Sequence, residues 1–419
     1  MVFRQVAEYP LGDSYFEVKK RIMKIVKLIV IACFLGITSG YAQTFVSESE
    51  IKAQKFGTET LYKSYRTDEP LEGDYKVALG AGSYYEVRFN KGRMHGKYKR
   101  FSPQSDLLEE RTYVNGELDG KKTLYFEFAK NMVHKVSYYK KGKPDGKWQE
   151  YDSRGTLIQE DNFSEGQLHG QHKKFDSQGD LRLLESYKNG APHGKWWGKV
   201  RSNRGDYEYT NFYKEGEPTG KWIEVNENGT LKKEVEYSNK DTYVKREYYR
   251  NGKLHREVRV KNGKYNGISK EFSDTGVISE ENDYKDDEII SKKTYHDNGR
   301  PNQTWHLVKD QLHGKYLSFN SDGEKQVEGN YTYGLRDGVW KYYHQDKDNL
   351  LQREVTYVGG NKEGVFKSYY RSGKVASEGF YKNDQMDGLW KYYTEGGKLK
   401  KRGGLRSEKP CKINRVLNE

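Results

Sequence analysis

A pair of glycines separated by three residues returns through most of this 419-residue chain and limits what it can fold into more than any other feature. The closing glycine falls at Gly96, Gly120, Gly146, Gly170, Gly194 and Gly220, then at Gly267, Gly314, Gly338, Gly364 and Gly388, with Asp310 and Asp384 in place of the opening glycine before Gly314 and Gly388. Spacings are 24 or 26 residues except for two gaps of 47, each about two units long. Inside those gaps, Lys240–Leu254 and Asp286–Arg300 keep the flanking pattern but lose the paired glycines, which gives about thirteen units between Tyr85 and Leu399. Self-similarity at a fixed period marks a repeat architecture. A helix interior would lose about 1 kcal/mol at each glycine relative to alanine, and here one arrives roughly every ten residues, so the repeat is not helical.

Each unit has a second punctuation point about ten residues after the glycine pair, such as Ser153–Gly155, Ser177–Gly179, Glu227–Gly229 or Ser321–Gly323. Asn-Gly recurs at Asn115, Asn189, Asn228, Asn251, Asn262 and Asn298, and Asp-Gly at Asp119, Asp145, Asp322, Asp337 and Asp387. These dipeptides tolerate the positive φ that tight hairpin turns need. The segments between them are rich in Tyr, Trp, Phe, Thr and Val, as short strands are. The expected fold is all-β: an elongated single-layer antiparallel sheet built from about thirteen tandem β-hairpins, each stabilised mainly by its neighbours.

Composition agrees with a thin, ordered structure. The chain is hydrophilic and poor in aliphatic residues, yet it carries 36 Tyr, 16 Phe and 7 Trp, whereas disordered chains are poor in aromatics. From Met23 the order is two lysines, an apolar run from Leu28 to Ile37, then small residues up to Ala42. That is the secretory signal pattern, and the run is too short to span a bilayer, which takes about 20 residues. Residues 1–42 therefore read as a signal peptide with Met23 as a second candidate start, and cleavage after Ala42 is favoured over lipidation at Cys33. The rest divides into an N-terminal cap or degenerate repeats (43–84), the hairpin array (85–399) and a basic C-terminal tail (400–419). Cys411 would be the sole cysteine of the mature chain, which excludes an internal disulfide and a thiolate metal cage. The predicted location is periplasmic, cell-surface or secreted.

The glycine pairs, the Tyr before the first glycine and the aromatic after the second (Tyr98, Trp148, Trp196, Trp222, Tyr316, Trp340, Phe366, Trp390) resemble the MORN repeat. The likeness is to its bacterial variant, which has antitoxin-like members. It implies a twisted hairpin array and roles in protein assembly, dimerisation or contact with membrane lipids. This chain departs from the better-known form by placing Lys, Val or Leu directly after the second glycine.

Candidate function follows from the side chains the repeat displays. The aromatics at Trp148, Trp196, Trp222, Tyr316, Trp340 and Trp390 suit cross-strand packing, and an exposed subset could form a contact surface together with Lys400, Lys401 and Arg402. His95, His169, His193 and His313 share one turn position with Asp119, Asp145, Thr219, Asn266, Asp337, Glu363 and Asp387. That slot selects a short polar turn residue rather than a metal ligand. Basic residues are interleaved with acidic ones, as on a solvated sheet face, so no nucleic acid is expected. Glu109–Glu110 and Glu280–Glu281 lie on strands, where neighbours face opposite ways, and they cannot act together on one substrate. No nucleophile elbow or phosphate loop is present, and no cofactor is expected. The sequence thus points to an exported, non-enzymatic scaffold for an unknown protein partner or for self-association. The alternatives are a glycan- or anionic-lipid-binding module and, by resemblance alone, an antitoxin-like protein.

Overall fold

The computed structural model describes residues 43–57, 59–345, 349–406 and 409–410. The signal-like segment with Met23 and Cys33, and Cys411 with the residues after it, lie outside them. The fold is all-β, and among the described residues its helical content is two short 3-10 turns at Glu48–Glu50 and Gly80–Gly82. Two compact units divide the chain: one runs to Ile158 and includes Phe163–Gly166, and the other comprises Gln159–Asn162 and everything from Gln167 onward.

The sequence Tyr187–Trp197 shows how one hairpin is made. Strand Leu181–Lys188 turns through Asn189 (φ 50°) and Gly190 (φ 79°), the pair of positive φ values of a type I′ turn. The chain returns as Ala191–Pro192, breaks at His193 and resumes as Gly194–Val200. Gly194, at φ 91°, is the bulge that lets the return strand re-pair with Leu183 and Leu184, a backbone state that favours glycine. A five-residue connection between Phe175 and Leu181, with the Gly179 N–H donating to the Asp176 carbonyl at 3.0 Å, joins this hairpin to the one before it, and most other hairpins are joined by the same length. Lys240–Leu254 and Asp286–Arg300 form ordinary hairpin strands as well, Thr242–Tyr248 pairing with Leu231–Asn239 and Glu288–Tyr295 with Ile278–Lys285.

Neighbouring hairpins are also fastened at their turns. The Gly190 N–H donates to the Leu168 carbonyl and the Gly216 N–H to the Pro192 carbonyl, both at 2.8 Å. The polar residue before the bulge glycine accepts from the following turn: Lys141 N–H donates to Asp119 at 3.2 Å, Glu215 N–H to His193 Nδ1 at 3.3 Å and Asn383 N–H to Glu363 at 2.7 Å. Imidazole and carboxylate are interchangeable there because both offer an acceptor.

The first unit contains an element that the hairpin pattern does not foreshadow. Strand Thr44–Ser47 pairs in parallel with Gly73–Ala78, while Ile51–Phe56 and Glu59–Ser64 form a separate two-stranded sheet. Around them lies a conventional apolar core of Leu71, Val77, Tyr85, Val87, Phe89 and Tyr98. Residues 43–84 therefore give this end of the array a buried apolar cluster. Beside it, the buried Glu109 carboxylate accepts both Arg111 Nε and Nη2, at 2.6 and 2.7 Å.

The second unit carries a charge row on one face. Register places one residue per strand in the line Glu234, Arg246, Glu257, Lys270, Glu281, Lys293. The row resumes as Glu328, Lys341, Glu354, Lys367, Glu378, Lys391. Tyrosines at the strand ends donate to its carboxylates, Tyr369 to Glu354 at 2.8 Å and Tyr393 to Glu378 at 2.7 Å. Burial alone would raise the carboxyl of Glu109, but Arg111 and Lys122 outweigh it and hold it below the usual range. The Tyr393 hydroxyl, with Lys391, does the same for Glu378. The unfolded chain binds these protons first, so the stabilisation is complete above the ordinary glutamate pKa of about 4.3 and is lost as pH falls through the lower folded values. The melting midpoint should hold steady from about pH 7 to 5 and drop below about pH 4, and Glu109→Gln with Glu378→Gln should flatten that drop. A midpoint unchanged down to about pH 3 in the parent chain would contradict the assignment.

Candidate interaction surface

The face opposite the charge row is aromatic. Tyr187, Trp196, Tyr213, Trp222, Tyr237 and Tyr243 follow one another across the strands with ring centroids 4.8 to 5.3 Å apart. In the last repeats Tyr331 meets Trp340 at 5.0 Å and Tyr381 meets Trp390 at 5.2 Å, both edge to face. In the first unit Trp148 packs between Tyr139 and Phe163. Each indole N–H also donates to the carbonyl ten residues earlier: Trp148 to Tyr138 at 3.0 Å, Trp196 to Ser186 at 2.9 Å, Trp222 to Phe212 at 2.8 Å and Trp340 to Asn330 at 3.0 Å. The Ser186 and Phe212 carbonyls lie beside a bulge and also accept the N–H of His193 and Thr219. Tryptophan therefore both fills the aromatic stack and ties down the hairpin's irregular point.

Depth differs along the face, and this corrects the expected contact surface. Trp340 and Trp390 are only 1% and 3% exposed, so they belong to the core and are unavailable to a partner. The reason lies eleven residues upstream. Trp196 and Trp222 have Glu185 and Asn211 there, whereas Trp340 and Trp390 have Gly329 and Gly379, where a Cβ would come within 2.3 and 2.2 Å of the indole. Trp148, Trp196, Trp222 and Tyr316 are half-buried, and Lys400, Lys401 and Arg402 are exposed. Those three cations lie on a paired strand, Leu399–Arg406, with Arg402 directly opposite Lys391.

The charge-row face presents a contact surface that the aromatic pattern did not single out. Two residues from the row, on the turn side, the position after the bulge glycine is Gln171, Lys195, Lys221, Ile268 and Lys315 in the earlier repeats of the second unit, where Ile268 is a single exposed apolar residue. In the last three it is Val339, Val365 and Leu389, which are 49%, 47% and 56% exposed. Val339 pairs with Thr356, and Val365 with Phe380, itself 48% exposed. At about 4.8 Å per strand these residues make an apolar stripe roughly 20 Å long beside the Lys–Glu row. Valine or leucine in place of lysine was the only sign of it in the sequence. Among the described residues no group of three His, Cys, Asp or Glu is placed to hold a metal ion.

Comparison with known families agrees with this geometry. A family model described as "MORN repeat variant" matches residues 144–165, 218–239, 244–262, 362–383 and 386–403. The match at 244–262 includes a unit that lacks the glycine pair. No curated protein matches the chain. Among solved structures, the crystal structure of TcdB2-TccC3-TEV aligns with 83% of this chain and 23% of its own, at 10% identity and a TM-score of 0.15. This chain thus spans under a quarter of that one, and the likeness carries no argument.

Gly329→Ala and Gly379→Ala should each lower unfolding free energy by about 1–3 kcal/mol, because the indole has no room to retreat. Gly396→Ala should cost far less, since its backbone lies outside the left-handed region and its Cβ would meet only Thr394 Oγ1 at 3.8 Å, an ordinary contact. Denaturant midpoints order the three, and an equal effect at all of them would remove the packing explanation.

Proposed function

We propose that this chain, which carries MORN-variant repeats, is an exported, non-enzymatic scaffold that binds another protein through its last three repeats. The observation that carries the reading is the stripe Val339, Thr356, Val365, Phe380 and Leu389. A soluble sheet face normally keeps charge at such positions, as Lys195, Lys221 and Lys315 do in earlier repeats. A contiguous exposed apolar stripe rimmed by charge is a recognised mark of a protein contact. The neighbouring Lys341, Lys367 and Lys391 alternate with Glu354 and Glu378, and that alternation would fix the partner's register. The exposed Arg402, opposite Lys391, extends the surface with positive charge, while Lys401 pairs with Tyr392 on the aromatic face. Export rests on the order of residues in Met23–Ala42. A structural use of the carboxylates supports the absence of catalysis: Glu109 is held by Arg111, and Glu281 accepts Tyr295 and pairs with Lys270 at 3.4 Å.

Val365→Lys with Leu389→Lys restores the residue of the earlier repeats without touching the buried aromatics. The melting midpoint is expected to stay within about 2 °C, as for substitutions at exposed sites. Stoichiometric capture of a partner by cross-linking in the native envelope should fall at least about tenfold, the loss of roughly 1.4 kcal/mol of contact. Undiminished capture by the folded variant would remove the stripe from the function.

A further inference from the structure

The hairpins around Tyr207 depart from the rest of the second unit on both faces. On the charge-row face, Lys173 is followed across the strands by Leu184, Trp197, Thr210 and Ile223 before Glu234 restores the alternation. This four-residue break is longer than the later one at Thr304 and Leu317. On the aromatic face, strand Tyr207–Lys214 holds Tyr207 and Tyr209 where Leu181–Lys188 holds Leu181 and Leu183. Tyr209 lies over Gly198, where a Cβ would come within 2.8 Å of its ring. The flanking strands Gly194–Val200 and Gly220–Asn226 have seven residues instead of the six of Gly170–Phe175, and the connection between Val200 and Tyr207 is one residue longer than the usual five.

Lengthening the hairpin opens space beside these rings. A groove of about 280 Å³ is lined by Tyr207, Tyr209, Asn211, Trp222, Glu224 and Lys233. Tyr207 also borders a larger hollow of about 800 Å³ that Arg201, Asp206 and Asn226 help to line. Asp206 and Asn226 in turn border a third concavity, edged by Arg204 and Arg250. The charges inside are mostly spoken for: Glu224 pairs with Lys232 and Lys233 at 3.2 Å, Glu208 with Lys199 at 3.1 Å, and Asp176 with Arg182. Lys232 also covers one face of Tyr207, with Nζ 3.3 Å from the ring centre. Arg201, Arg204 and Arg250 are exposed and have no ion pair among the described residues. Across from them Asp206 accepts the Ser202 N–H at 3.1 Å, and Glu227 completes the rim.

We propose that this groove is a binding site for an acidic oligosaccharide, whose sugar rings lie along Tyr207, Tyr209 and Trp222 while its carboxylates meet Arg201, Arg204 and Arg250. A pyranose has an apolar C–H face and a polar rim. The first matches an aromatic side chain, and the second matches Asn211 and the Glu224–Lys233 pair. Guanidinium binds a carboxylate through two parallel hydrogen bonds, which selects an acidic sugar over a neutral one. Several sugar units are needed to reach from Trp222 to the arginines, so a chain should bind and a monosaccharide should not.

Isothermal titration of the full mature chain with a short oligogalacturonate, the matching neutral galacto-oligosaccharide and inorganic sulfate tests the site. The acidic oligosaccharide should bind with a Kd below about 1 mM and at least about tenfold more tightly than the neutral one. Arg201→Gln with Arg204→Gln should weaken it about tenfold or more with the melting midpoint unchanged, and Tyr207→Ser should weaken it independently. Neither change touches the stripe at Val339–Leu389, so failure here leaves the protein-scaffold reading standing. Equal binding of the neutral oligosaccharide, or sulfate binding as tightly as the acidic chain, would overturn the proposal. So would silence with all three ligands, or full affinity in the folded arginine variant.

Discussion

A sheet with no second sheet packed on it must bury its apolar surface sideways, between neighbouring strands, and the aromatic stack is how this chain does so. Tyr187 to Tyr243 form a run in which each ring touches the next at about 5 Å, and such pairs contribute about 0.5–1.5 kcal/mol beyond area burial. The indole N–H bonds and the turn-to-turn bonds, such as Gly190 to Leu168, act at the same joints. A hairpin removed from its neighbours would lose one side of its stack, its turn clamp and half its strand pairing together. That dependence explains why the unit recurs with so little change. One exception is the first unit, where Leu71, Val77 and Phe89 build a true core.

Freed from the need to bury a second surface, the other face can carry information. Its Lys–Glu row resists edge and face aggregation and leaves places where a departure is conspicuous. Two stand out. In the last repeats, lysine gives way to Val339, Val365 and Leu389, and an apolar stripe results. Around Tyr207, the row breaks at Leu184–Ile223 while the opposite face gains two tyrosines and the hairpin lengthens. Surfaces of this kind cost the fold little, because the aromatic stack below the first is deepened by Gly329 and Gly379, and the stack below the second continues through Trp196, Tyr213 and Trp222.

Much of this architecture was legible in the sequence. Asn189-Gly190 and Gly194 declared the turn and the bulge, and the mixture of His and Asp in one slot correctly excluded a demand for imidazole. Glu109 and Glu110 do face opposite ways, one to Arg111 and the other to Lys99 at 3.5 Å. What stayed hidden depends on register or on distance along the chain. The parallel pairing of Thr44–Ser47 with Gly73–Ala78 falls outside any repeat. The charge row joins residues that are aligned only once every bulge is counted. The depth of Trp340 and Trp390 is set by a glycine eleven residues upstream, so six aromatics that look equivalent in sequence divide into two classes. Tyr207 and Tyr209 announced themselves only through the 26-residue spacing from Gly194 to Gly220.

The claim on which the rest depends is that each hairpin is held by the two beside it. Hydrogen exchange read peptide by peptide in the full chain, with and without Trp196→Ala, tests it most directly. Loss of protection should spread to both sides of the substitution, across Leu181–Lys188 and Tyr207–Lys214, and fade before the repeats at Leu335–Tyr343. Protection lost evenly throughout the chain, or only within Gly194–Val200, would contradict a neighbour-coupled array.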